Sequence, residues 1–134
     1  MPSLTGSNPR SDLAAARGEP SYVWRSGQER RLAMIDRYAP LTGARVLEVG
    51  CGVGVYTGEM RRRFTPHVEA VDIEVARVAQ ARIDTPHALV AAAERLPYPA
   101  NTFDVVIANE VIEHVADDRA VVREMVRVAR PGGR

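Results

Sequence analysis

One stretch constrains the chain more than any other: VLEVGCGVGVYT, Val46 to Thr57, where an apolar run meets glycines at 50, 52 and 54. A strand handing over to a helix through such a turn brings its backbone close to a ligand, and a side chain there would obstruct the approach. The helix N-terminus behind the turn offers N–H groups. The spacing is G-x-G-x-G. A dinucleotide fingerprint, G-x-G-x-x-G, needs glycine where this chain has Val55, and no Gly-Lys-Ser/Thr ending marks a phosphate loop. Phosphate binding is therefore the weaker functional reading, and a plain structural turn is the competing one.

The alternation around that turn sets the fold class. Spacing predicts a helix over Trp24 to Ala39, with Gln28, Leu32, Ile35 and Ala39 on one face and Pro40 ending it. A strand over Arg45–Val49 precedes the glycines, and a helix with Tyr56, Met60 and Phe64 inward follows them. A second strand is expected over Val68–Val71 and a helix over Glu74–Ile83, with Val75, Val78 and Ala79 inward. Ala88–Ala92 reads as a weaker strand and Phe103–Ala108 as a fourth. The last helix runs from about Asp117 to Ala129, capped by Asp117 or Asp118, with Val121, Met125 and Val128 as its apolar stripe. Strands alternating with helices imply an α/β fold, a parallel sheet with helices on both faces.

Residues 1–22, rich in Ser, Pro, Gly and Asn, are expected to form a flexible arm, and residues 23–134 a single domain. The segment VARPGGR turns the chain back toward a further strand, but the sequence stops at Arg134. The outer edge of the fourth strand is therefore expected to be bare, a liability and a route to self-association.

Composition narrows the partners. A length of 134 residues, 46% hydrophobic and 26% charged, suits one ordinary domain with a real core. A net charge of +1 argues against electrostatic nucleic-acid binding. With Cys51 as the only cysteine, neither an intrachain disulfide nor a cysteine-based zinc cluster is expected. No stretch has the length of a signal peptide core or a bilayer span, so no stable membrane insertion is expected and the protein reads as cytoplasmic.

Two further signals follow the glycine turn. Asp72 closes the second strand about twenty residues on, where an acid can accept hydrogen bonds from both ribose hydroxyls. Its plainer role is to cap the next helix, for which Glu74 is the better candidate. NEVIEHV, Asn109 to Val115, lies beyond the carboxyl end of the fourth strand. There Glu113 and His114 are candidates to take a proton from an acceptor, against a structural role in orienting the loop. Arg119, Arg123 and Arg127 recur as an exposed face, and Arg61–Arg63 reads as a solvated helix end. Tyr22 and Arg25 are minor candidates for folding over the ligand.

VLEVGCGVGVYT, VDIE, AERLPYPANTFDVVIANEVIEHV and VREMVRVARPGG, in that order over about residues 43 to 133, resemble the class I S-adenosylmethionine-dependent methyltransferases. The resemblance is to the branch that methylates small molecules and lipid quinones. It implies a Rossmann-like sheet of order 3-2-1-4-5-7-6, of which strands 5 to 7 would be lacking here. It further implies S-adenosylmethionine as cofactor, a small-molecule acceptor, and no metal. Carried over by position, Gly50, Cys51, Gly52 and Gly54 would line the methionine and ribose. Glu48 would sit beneath, bonded to the glycine loop or, through water, to the amino group. Asp72 would hold the ribose, Ile73 would pack on adenine, Ala93 and Glu94 would border it, and Asn109 would meet the methionine through its backbone. Ala92 stands where the family usually has an acid that accepts from the adenine amino group. A non-catalytic cofactor-binding fragment and a nicotinamide oxidoreductase remain the rival readings.

Overall fold

A computed structural model describes residues 24–134; the arm expected over residues 1–22, and Tyr22 with it, lie outside the described residues. The described residues open with helix α1 (Ser26–Tyr38), followed by strand β1 (Val46–Val49), helix α2 (Val55–Arg63) and strand β2 (Val68–Asp72). Helix α3 (Val75–Ala81), strands β3 (Ala88–Val90) and β4 (Val105–Ala108), a 3-10 turn (Ile112–His114) and helix α4 (Asp118–Val128) complete it. The four strands form one parallel sheet of order β3-β2-β1-β4. The chain winds outward from β1 to β3, then crosses back to place β4 on the other side of β1. That reversal opens a crevice beyond the carboxyl ends of β1 and β4.

Period-two alternation in β1 divides the core. Val46 faces a cluster containing Leu32 of α1, Met60 of α2, Val68 and Val105, with Trp24, Tyr56 and Phe64 packed against it. Leu47 and Val49 face the opposite cluster, with Val71, Leu96, Phe103 and Val128 of α4. Helix α3 sits over Ala70 and Ala88 through Val78 and Ala81, and Cys51 joins this group. Among the described residues no helix is long and apolar enough to cross a membrane.

Several expectations shift. In α3, Val75 is 69% exposed and Ala79 is also outward. Val78 is buried as expected, but its partners are Ala81, three residues on, and Thr85 beyond the helix. Its N-cap, Glu74, makes no side-chain cap bond and pairs with Arg77 at 3.3 Å; Asp72 Oδ1 accepts from the Glu74 N–H at 2.9 Å, a turn that leads into the helix without capping it. Arg127 is not part of an exposed stripe. It donates to the carbonyls of Tyr98 and Leu96 and to Glu124, whose carboxyl also accepts from the Leu96 N–H and is held down to about 2, chiefly by Arg127. Asp117 is the α4 cap, accepting from the Ala120 N–H at 3.0 Å.

The fourth strand begins at Val105, two residues later than expected, because Phe103 makes an isolated parallel bridge to Ala129. β4 is an edge strand, as expected, and its outer side is covered only at the start, where the Arg134 N–H donates to the Asp104 carbonyl and the Val106 N–H to the Arg134 carbonyl. Phe103 is fully buried and meets Tyr98 edge-on at 5.0 Å. Phe103→Ala leaves a void between β1, β4 and α4 and is expected to cost about 3–5 kcal/mol. Urea unfolding measures it, and an unchanged midpoint contradicts this packing.

Candidate functional site

The glycine turn is built by backbone conformation as much as by space. Gly50, Gly52 and Gly54 all have left-handed φ, at 73°, 56° and 81°. The N–H groups of Gly50 and Cys51 both donate to the Val71 carbonyl, at 2.8 and 2.9 Å, fastening the turn to the end of β2. The Gly52 N–H donates to Asp72 Oδ2 at 2.9 Å. A Cβ on Gly50 would run into Cγ2 of Val111, so the neighbour that demands glycine there is the loop after β4.

Beyond the strand ends lies a cavity of about 690 Å³, within the range of pockets that hold small molecules. Its wall includes Glu48, Gly50, Cys51, Gly52, Asp72, Ile73, Ala93, Glu94, Asn109, Glu113 and His114, so the structure brings nearly all the sequence-derived positions together. Gly54 is the exception. It is the buried N-cap of α2 and does not line the cavity. Ala92 does line it, with no side-chain acceptor to offer.

Each wall residue has a distinct setting. Asp72 is 6% exposed, and each of its oxygens accepts one backbone N–H, from Gly52 and Glu74. A carboxylate oxygen has a second lone pair, so acceptor capacity remains on both. Ile73, 64% exposed, presents a bare apolar surface beside it. Cys51 is largely buried in the α3 cluster and acts as a small packing residue at the cavity edge. His114 and Glu113 sit at the exposed rim, 3.8 Å apart.

Glu48 departs from its expected partners. It is 3% exposed, and its carboxylate accepts from Thr57 Oγ1 of α2 at 2.7 Å, while the glycine loop's N–H turns to Asp72 instead. Strand alternation explains this, because Glu48 points to the same face as Val46, the face that α2 covers. Burial pushes the Glu48 carboxyl up to about 7, with the negative charge of Asp72 adding to the effect and Thr57 opposing it.

Three residues escaped sequence reasoning. Arg31 reaches from α1 to Asn109 Oδ1 at 3.2 Å and Glu110 Oε1 at 2.9 Å, bracing the loop after β4. Glu110 itself has left-handed φ, 58°. Tyr56, read only as core, lines the cavity; its hydroxyl is buried without a hydrogen-bond partner of acceptable geometry, although Arg31 and Asn109 lie beside it. Thr57 had a readable signal: as the first polar residue of a helix packed on β1, it is placed to meet the strand's one acid.

A family model described as a methyltransferase domain matches residues 47–134. The chain is 38% identical over 109 residues to a ubiquinone biosynthesis O-methyltransferase of Hahella chejuensis, covering 76% of this chain and 45% of that protein. It is 33% identical over 111 residues to the protein of the same name in Neisseria meningitidis, covering 77% and 47%. The chain thus spans about half the length of the curated relatives it matches. Among solved structures, the [4+2]-cyclase SpnF superposes with a TM-score of 0.74 at 27% identity, over 82% of this chain and 44% of that one. The Bacillus protein YcgJ gives 0.71 at 25%, over 78% and 48%.

Two stability measurements check this geometry. Gly50→Ala is expected to cost about 2 kcal/mol or more from backbone strain and the Val111 collision, and adding Val111→Ala should recover only the steric share. Between about pH 4.5 and about 7, folded Glu48 holds a proton that the unfolded chain has released. Its stabilising contribution is full below that window and is lost as pH rises through it, by roughly 3 kcal/mol. Glu48→Gln should remove that loss in urea titrations at pH 5 and pH 8. An identical pH dependence in both proteins contradicts the assignment.

Proposed function

Because the chain belongs to the class I S-adenosylmethionine-dependent methyltransferases, we propose that its cavity binds S-adenosylmethionine and that the protein methylates a small-molecule acceptor. The observation that carries this reading is the fixing of Asp72 at the end of β2. Two backbone N–H groups hold its carboxylate still while one lone pair on each oxygen stays available to a ribose diol.

The other wall residues fit the same ligand. Ile73 offers an apolar face to the adenine, with Ala93 and Glu94 at its edge. Gly50, Cys51 and Gly52 allow close backbone approach, the orphaned hydroxyl of Tyr56 supplies an unused polar atom, and Asn109 presents its backbone once Arg31 has engaged its side chain. The carboxylates of Asp72 and Glu94, with Glu74 offset by Arg77, leave the wall net acidic, which suits a cationic ligand and disfavours the pyrophosphate of a nicotinamide dinucleotide.

When bound, the cofactor brings a methyl group already activated for transfer. The chain's own part is to bind, orient and exclude water. For a hydroxyl acceptor, His114 or Glu113 at the rim would take the proton. The relatives named for ubiquinone biosynthesis O-methylation favour a phenolic, lipid-like acceptor. A second reading, cofactor binding without methyl transfer, is favoured by the exposure of both candidate bases.

Calorimetric titration with S-adenosylhomocysteine tests the binding. Micromolar affinity is expected, with Asp72→Asn weakening it at least tenfold through loss of charge-assisted hydrogen bonds. Equal affinity in the variant, or preference for NAD, overturns the assignment. Label transfer to catechol-type acceptors separates the two readings, since turnover eliminates the second.

A further inference from the structure

The cavity runs along the strand ends in the sheet order β3-β2-β1-β4, and its two ends differ in chemistry. Past β4 stand Asn109, Glu113 and His114, at β2 stand Asp72 and Ile73, and past β3 comes the run from Ala91 to Glu94. The last two segments are fastened side by side, because the Ala91 N–H donates to the Asp72 carbonyl at 3.0 Å. A ligand with its ribose on Asp72 and its reacting end toward the rim past β4 therefore directs its base the other way. The base lands between Ile73 and the segment after β3. This placement rests on the proposal that the cavity binds S-adenosylmethionine.

That end of the cavity offers donors and few acceptors. Ala91, Ala92 and Ala93 bring no polar side-chain atom to it. The chain then turns, the Arg95 N–H donating to the Ala92 carbonyl at 3.1 Å, and the N–H groups of Ala93 and Glu94 inside the turn have no acceptor among the described residues. Such donors suit the ring nitrogens of a purine, which accept hydrogen bonds. An exocyclic amino group donates, and needs an acceptor in return. The one side-chain acceptor in the segment is Glu94, which is half-buried and held by no hydrogen bond or ion pair among the described residues. Fixing so free a side chain on a base costs rotamer entropy.

We infer that the site takes purine cofactors without selecting for the exocyclic amino group of adenine, and that Ala92 sets this tolerance. Ile73 carries the face of the base, the turn after Ala92 supplies donors to its ring edge, and Asp72 holds the sugar. The methyl group of Ala92 leaves the amino group to solvent, so a base lacking it loses no fixed partner.

Calorimetry with S-adenosylhomocysteine, and with its analogue carrying unsubstituted purine in place of adenine, tests this. Affinities within about threefold of each other are expected, since removing the amino group leaves no buried polar group unpaired. Ala92→Asp adds a carboxylate acceptor and should prefer the adenine compound by about tenfold or more. A larger preference than threefold in the unsubstituted chain overturns the inference and leaves the cofactor assignment standing. If that preference disappears in Glu94→Ala, the amino group belongs to Glu94 instead. Equal binding of the two compounds by folded Ala92→Asp overturns the placement of the base beside residue 92. Failure of both compounds to bind the unsubstituted chain overturns the inference and the cofactor assignment together.

Discussion

The turn after β1 is held by the strand beside it. Val71 lends its carbonyl to two successive N–H groups of the glycine loop, and Asp72 lends a carboxylate oxygen to a third. Because Gly50, Gly52 and Gly54 are all in the left-handed region, the loop has no regular structure of its own to fall back on. Its shape is dictated from β2. The direction in which α2 leaves, the floor of the cavity and the placement of Thr57 against Glu48 follow from those three hydrogen bonds. Asp72 thus has two jobs. One oxygen fixes the loop behind it and the other holds the turn that leads into α3, and each keeps a second lone pair.

The fold was legible because its signals are local. Four apolar runs and the helices between them mark the strands of a parallel sheet, the resemblance implied the order β3-β2-β1-β4, and the stripe of Val121, Met125 and Val128 turned inward as its spacing required. Errors arose where tertiary partners decide. The inward face of α3 could not be read from Val75 and Ala79, because in a helix of seven residues the packing against Ala70 and Ala88 decides which side is buried. Arg127 looked solvent-facing by periodicity, yet carbonyls of a loop some thirty residues away take its guanidinium. The cavity residues were legible as a set because they sit at strand ends. The bracing by Arg31 and the fit of Val111 over Gly50 were not, since neither leaves any trace in spacing.

Strand β1 shows how a site announces itself against the rules of its own element. All four of its residues are buried, and three are apolar as a central strand demands. Glu48 breaks the pattern in the most costly place available, and among the described residues the hydroxyl of Thr57, with no cation beside it, softens the cost. A stability-driven sequence would place valine or isoleucine there. Such a local violation is what functional positions look like in an otherwise consistent chain.

The brace from Arg31 to Asn109 and Glu110 joins positions 78 and 79 residues apart. It ties the first described helix to the loop that follows β4. As the polypeptide is synthesised, β1, the glycine turn and β2 exist before the residues that close the opposite wall. The emerging domain therefore carries a half-built crevice with buried-to-be acids open to water, and it becomes a chamber only when β4 slots in beside β1 and its loop reaches back to α1. The cavity is thus a property of the assembled residues and belongs to no contiguous part of them.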